Sequence, residues 1–136
     1  VVLETMRLYP AAWFFPRFSK EDDSVGGMTI PGGSTVLLSP YVTHRNPAFW
    51  PRPDAFDPER FSKERSAARP RFAYLPFGGG PRQCIGMQLA LIETQIITAM
   101  LVQQFRPHLM PGRPVVPKGR GSLKPRHGLQ LVFERV

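Results

Sequence analysis

Phe77-Gly78-Gly79-Gly80-Pro81-Arg82-Gln83-Cys84-Ile85-Gly86 contains the only cysteine of the chain and runs directly into its longest apolar segment, residues 87–105. The glycines let backbone N–H groups approach whatever the loop holds. A Gly-rich loop opening a helix suggests phosphate binding, but no Gly-Lys-Ser/Thr follows and no helix-opening GxGxxG spacing fits. What remains is a lone cysteine at the mouth of a long helix, beside Arg82. The free N–H groups of a helix N-terminus and a nearby guanidinium both stabilise a thiolate, so Cys84 reads as a nucleophile or a metal ligand. An inert buried thiol is the ordinary alternative for a single cysteine; the glycines and the arginine weaken it. A nucleophile needs a general base. His44, His108 and His127 each stand in a Pro- or Gly-rich stretch with no companion acid at a telling spacing, which leaves a cysteine hydrolase unsupported.

Working outward, the 136 residues include 12 Gly and 16 Pro with 42% hydrophobic and 11% aromatic residues, the composition of a turn-rich globular chain. One cysteine excludes an internal disulfide framework and a Cys-rich zinc site. Residues 87–105 predict a helix apolar on nearly all sides, which belongs in a core between other elements, although this chain offers few partners to cover it. Gln88, Glu93, Gln95, Gln103 and Gln104 interrupt it too often for a bilayer span.

The opening VVLETMRLYP reads as the back end of an amphipathic helix stopped by Pro10, with no N-cap before it and no signal peptide. The expectation is therefore a piece of a longer protein. Asp22–Gly27 reads as a turn. Met28–Ile30 and Thr35–Ser39 read as strands joined in a hairpin by Pro31-Gly32-Gly33. Five prolines between residues 40 and 63 permit only short helical turns and extended pieces, and Lys63–Arg71 reads as a polar loop. The tail from Arg106 predicts short strands, with Leu129–Phe133 alternating best.

The net charge of +8 is lopsided. Residues 1–64 carry 7 basic and 8 acidic side chains, whereas residues 65–136 carry 11 basic and 2 acidic. Such an excess is a footprint of nucleic-acid binding, but these arginines are scattered through Pro-rich sequence with no groove-reading helix or stacking motif. No nucleic-acid partner is expected. An acidic segment elsewhere in the protein could equally balance the charge.

Phe77-x-x-Gly80-x-Arg82-x-Cys84-x-Gly86 resembles the haem-binding signature of the cytochrome P-450 family, matching all five fixed positions. Glu4-Thr5-Met6-Arg7 resembles the Glu-x-x-Arg of that family's K helix. Phe56-Asp57-Pro58-Glu59-Arg60-Phe61 is similar to its Pro-Glu-Arg-Phe segment. Order and separation fit as well. The resemblance spans essentially the whole chain and corresponds to roughly the last third of a family member. The fold it implies is mostly α with small β-sheets: the end of the K helix, short β hairpins, the Cys-ligand loop, the L helix and terminal β strands, all within one domain. The cofactor it implies is haem b, iron protoporphyrin IX.

The resemblance makes Cys84 the proximal axial ligand of haem iron, where an anionic sulfur donates electron density that favours O–O cleavage. Backbone N–H groups at Ile85 and Gly86 would tune the sulfur, and Phe77 would shield it. Gly80 and Gly86 would let the chain turn where a Cβ would strike the macrocycle or the sulfur. Arg82 would reach a propionate with its forked donors. Arg17 stands where many members place a second propionate-binding arginine, with an ordinary surface arginine as the alternative. Read alone, Glu4 and Arg7 at i, i+3 make a solvated pair of ~0.2–0.5 kcal/mol. By resemblance they join Arg60 in a buried structural network that holds the cysteine loop. Ala11, Ala12 and Trp13 fall where the family lines its substrate pocket, and Gly119–Ser122 corresponds to a second lining segment. For Trp13 to Phe15, plain core packing is the alternative. His44-Arg45-Asn46-Pro47 is similar to a His-Arg-Asp-Pro stretch and reads as structural, with Asn46 the one departure.

The implied activity is that of a haem-thiolate monooxygenase acting on a small, hydrophobic organic substrate, with no catalytic residue here beyond the haem ligand. A peroxygenase or isomerase on the same fold is the alternative, as is an inert chain that does not retain haem. The basic second half would receive an acidic electron-donor protein or reductase domain. A soluble family member would be cytoplasmic and an anchored one membrane-bound. The 136 residues alone are expected to be inactive.

Overall fold

Proline and glycine decide where this chain can be regular. The computed structural model describes residues 1–136. Helix α1 (Val2–Leu8) ends at Tyr9, ahead of Pro10. Strand β1 (Phe15–Phe18) pairs antiparallel with β4 (Thr35–Leu38), and β2 (Asp23–Val25) pairs with β3 (Met28–Ile30). The expected hairpin between residues 28–30 and 35–39 therefore does not form. The Pro31–Ser34 turn is tied to Ser19 instead, whose N–H donates to Ser34 O at 2.9 Å and whose O accepts from Gly33 N–H at 2.9 Å. These bonds extend the β1–β4 ladder and carry the chain away from β3. Residues 23–25, read as turn, are strand, with the reversal confined to Gly26-Gly27.

Short helices fill the proline-rich stretch as expected. In α2 (Pro40–Thr43) the Ser39 hydroxyl accepts from Val42 N–H, and Asp57 caps a 3₁₀ turn at Pro58–Phe61. The polar loop at 63–71 contains a helix that the sequence reading missed, α3 (Lys63–Ala67), started by the Ser62 hydroxyl accepting from Arg65 N–H. Helix α4 (Met87–Gln104) matches its predicted span to within one residue. The chain covers little of it: α1 touches it and Met87, Ala90, Leu91, Thr94 and Thr98 are half-buried, but no residue of α4 is buried, and Ile92, Ile96 and Ile97 are all more than half exposed. Beyond it, β5 (Phe105–Leu109) pairs with β8 (Leu131–Arg135), and β6 (Pro117–Gly119) pairs with β7 (Leu123–Pro125). The last strand lies two residues later than the alternation suggests. The fold is thus helical with four two-stranded antiparallel sheets. No helix is long and apolar enough to cross a membrane.

Nine residues are buried, and four of them are Glu4, Arg7, His44 and Arg60. The centre of the molecule is a polar network clad by Leu8, Trp50 and Ala73, not an oily core.

The tail is pinned to the segment after α1 by Trp13. Its indole N–H donates to Arg120 O at 2.9 Å, and Leu123 N–H donates to Ala11 O at 2.9 Å. A Cβ on Gly119 would lie 2.8 Å from Cε2 of that indole. Gly119→Ala is therefore expected to cost about 1–3 kcal/mol by overpacking. The same substitution in a Trp13→Ala background should cost close to nothing, a coupling that urea unfolding of the four proteins reads directly.

Candidate functional site

The cysteine loop is shaped by two glycines with positive φ, Gly78 at 72° and Gly80 at 70°, a backbone conformation that side chains with a Cβ rarely adopt. Cys84 N–H donates to Phe77 O at 2.9 Å, closing the loop, and Gly78 N–H donates to Leu75 O at 3.1 Å. Gly86 has φ −82°, which any residue tolerates, and a Cβ there would meet Cys84 Sγ at 3.9 Å, an ordinary contact. A side chain at this turn position would therefore meet neither backbone strain nor a clash with the sulfur. Helix α4 starts three residues after Cys84, so the thiol lies just ahead of the helix N-terminus and is exposed. Ile85 is fully exposed beside it.

An open cavity of about 390 Å³ lies against the loop. Cys84, Phe77, Arg82, Arg17, Ala11 and Ala12 all line it, so one concavity brings together two segments far apart in sequence, 11–17 and 76–84. Phe15, for which core packing was the alternative reading, lines it too, and its ring lies 4.8 Å from the Arg17 guanidinium carbon. Trp13 is not among the lining residues; it clasps the tail. Arg17 donates to Pro16 O at 2.9 Å, and neither Arg17 nor Arg82 pairs with a carboxylate of the chain. A largely apolar wall, one accessible thiol and two guanidinium groups without counter-ions fit a flat apolar macrocycle with a thiophilic iron and two carboxylates.

Behind the loop lies the charged network. Arg7 Nε and Nη2 donate to the two Glu4 carboxylate oxygens at 2.7 and 2.9 Å, a two-point pair. The remaining Arg7 donors reach His44 O at 2.8 Å, Pro53 O at 2.6 Å and Ala55 O at 3.1 Å. Glu4 also accepts from Asp57 N–H at 2.9 Å and lies 3.4 Å from Arg60 Nε. Arg60 donates to Arg52 O at 2.8 Å. The exposed-pair reading of Glu4 and Arg7 fails on burial, since both are fully enclosed. Asn46 accepts from Ala48 N–H at 3.0 Å through its side-chain oxygen, which an aspartate would do equally well.

Trp50 and Tyr74, which carried no sequence signal, and His44, which the resemblance marked as structural, join this network to the loop. Trp50 donates its indole N–H to Ala73 O at 3.1 Å, and Tyr74 donates its hydroxyl to Leu3 O at 2.9 Å. His44 accepts from Leu75 N–H at 2.9 Å. Trp50 also lies under the Arg69 guanidinium at 4.1 Å, while Arg69 donates to Arg60 O. They sit in coil, where no periodicity marks a residue as buried.

Burial holds the His44 imidazole well below its ordinary 6.5, at about 4; its bond to the Arg7 carbonyl opposes this, and the Arg7, Arg45 and Arg69 cations add to it. The unfolded chain binds a proton at His44 below pH 6.5 that the folded chain refuses until about pH 4. The stability from a neutral His44 is thus complete above pH 6.5 and falls as pH drops towards 4, by about 3 kcal/mol at most. Urea midpoints of the intact protein across that range, compared with those of His44→Gln, check this. A pH slope unchanged by the substitution would refute it.

The family profile described as Cytochrome P450 matches residues 1–133. The chain belongs to the cytochrome P450 family. It is 44% identical over 123 residues to cyclooctatin synthase of Streptomyces melanosporofaciens, covering 90% of this chain and 27% of that protein. It is 40% identical over 144 residues to cytochrome P450 3A25 of Mus musculus, covering 94% of this chain and 29% of that protein. Among solved structures, the retinoic acid-bound cyanobacterial CYP120A1 superposes with a TM-score of 0.94 at 34% identity, over 99% of this chain and 31% of that one. The heme domain of cytochrome P450DA gives 0.92 at 29% identity, over 99% and 30%. The chain therefore spans between a quarter and a third of the length of these relatives. The fold is that of a cytochrome P450, and the cofactor of the family is haem.

Proposed function

We propose that this chain is the haem-ligating part of a haem-thiolate monooxygenase. The observation that carries the proposal is the placement of Cys84 on one apolar cavity with Arg17 and Arg82, two guanidiniums free of carboxylate partners. Cys84 would hold the iron, Arg17 and Arg82 the two propionates, and Phe77 would limit water at the sulfur. Ala11 and Ala12, small side chains on the same cavity, would leave room for an organic substrate. When bound, the haem supplies activation of dioxygen at iron, made effective by electron donation from an anionic sulfur. The overall reaction consumes a C–H substrate, one O₂, two electrons and two protons, and yields the alcohol and water.

The residues of this chain contribute binding and placement. The Gly78 and Gly80 turns present the thiol to the cavity, and the buried Glu4–Arg7–Arg60 network keeps the loop from relaxing. Electrons would come from an acidic donor protein or reductase domain, drawn by the basic excess of residues 65–136. With most of the apolar surface of α4 exposed, the 136 residues by themselves are proposed to be inactive.

The intact protein should give a red-shifted ferrous–CO Soret band and, with labelled dioxygen and an electron donor, place one labelled oxygen atom in its product. Label absent from a product that has been rearranged would favour the isomerase reading. An unshifted CO band would end the thiolate assignment.

A further inference from the structure

His44 is enclosed on all sides, and each ring nitrogen has a single partner of fixed polarity. Nδ1 lies 3.1 Å from Arg7 O, which only accepts; Nε2 lies 2.9 Å from Leu75 N, which only donates. The geometry admits one tautomer, neutral with the proton on Nδ1. The bond to Arg7 is reciprocal, because Arg7 Nη1 donates to the His44 carbonyl at 2.8 Å while the His44 ring donates to the Arg7 carbonyl. Residue 44 is thereby locked to α1 in both directions.

The other nitrogen faces the thiolate loop. From Leu75 a short run of backbone bonds leads to the sulfur: Gly78 N–H to Leu75 O, then Cys84 N–H to Phe77 O. Trp50 and Tyr74 anchor residues 73 and 74, but the side chain that bonds both Arg7 and the base of this loop is His44. We infer that His44, through the acceptor at Nε2, is a positioning residue that sets the register of residues 75–84 and so keeps Cys84 placed as the iron ligand. It touches neither cofactor nor substrate. The inference rests on the haem-thiolate reading above.

If His44 only filled space, the position of its polar atoms would not matter. Glutamine carries its side-chain oxygen about as far out as Nε2 and can still accept from Leu75 N–H. Asparagine reaches only as far as Nδ1; it can donate to Arg7 O but leaves Leu75 N–H buried without a partner. The test compares intact, haem-loaded wild type, His44→Gln and His44→Asn, following the red-shifted ferrous–CO band against time well below the unfolding midpoint. His44→Gln should hold the band near the wild-type rate, and His44→Asn should lose it about tenfold faster, as expected when a buried donor is left unmade.

Equal persistence in both variants, or equal loss, overturns the inference. Recovery of folded holoprotein for the glutamine variant alone supports it, because the two variants differ in the reach of the acceptor. If neither folds, nitrogen-15 histidine spectra of the wild-type ferrous–CO protein decide: a proton on Nδ1 with bare Nε2 supports the inference, and the opposite tautomer or an imidazolium at neutral pH overturns it. A wild type without the red-shifted band refutes the haem-thiolate reading itself, which separates that failure from a failure of His44.

Discussion

Cys84→Ser in the intact protein is expected to abolish the red-shifted ferrous–CO band and all monooxygenase turnover while leaving the polypeptide's stability unchanged. The two halves of that expectation have separate causes. Serine is nearly the same shape as cysteine, and Cys84 is exposed and makes no side-chain hydrogen bond within the chain. A substitution of that kind alters stability by no more than about 0.5 kcal/mol. The chemistry is another matter. A serine hydroxyl is protonated at neutral pH and binds iron as a hard neutral oxygen, so the electron donation that favours O–O cleavage is lost. Arg17 and Arg82 would still grip the propionates, so some haem should be retained with an unshifted CO band. Urea unfolding of the apoprotein, haem content and the CO difference spectrum separate these effects. A red-shifted band that survived the substitution would mean that another residue ligates the iron.

The site was legible in the sequence where its residues are consecutive, and illegible where they converge from coil. Phe77 to Gly86 is one loop of consecutive residues, closed by Cys84 N–H on Phe77 O, so five positions suffice to read it. Glu4 and Arg7 were readable because one helical turn brings them together; spacing alone gives an exposed pair, whereas the family resemblance gives a buried network with Arg60, and the structure encloses all three. His44, Trp50 and Tyr74 left no trace of this kind. Each is tied by its side chain to a backbone group far away in sequence, at separations of 37, 23 and 71 residues. No local pattern encodes such pairings.

The sheets show the same division. Residues 28–30 and 35–38 were recognisable as strands, but their partners depended on the Pro31–Ser34 turn bonding to Ser19, a long-range event. The Trp13 clasp was equally hidden, because nothing near Gly119 in sequence announces an indole 2.8 Å from its missing Cβ.

The second large effect is expected at Glu4, where a change of one atom removes the only anion enclosed with Arg7 and Arg60. Glu4→Gln keeps the shape of the side chain but turns its two-point partnership with Arg7 into a clash of donors at one oxygen position. It also leaves two guanidiniums, 0% and 2% exposed, without a buried counter-charge. Asp57 cannot take over, since its carboxylate lies 3.9 Å from Arg60 Nε and is partly occupied by Arg65 at 3.2 Å. Breaking a buried pair in this way costs about 3–5 kcal/mol, a large share of the roughly 5–15 kcal/mol that holds a typical domain folded. The Arg65–Asp57 pair is the internal control. Arg65 is half exposed, and Arg65→Ala should cost less than about 1 kcal/mol. Urea midpoints of the intact protein rank the two variants. The polar network also predicts the order of events on unfolding Glu4→Gln: Arg7 loosens, its bond to the His44 carbonyl goes with it, and the Leu75 end of the cysteine loop is released. The red-shifted CO band should therefore fade at lower urea than the helical circular dichroism. Coincident loss of the two signals would show that the network stabilises the fold without governing the thiolate, and a midpoint within about 0.5 kcal/mol of wild type would show that it does neither.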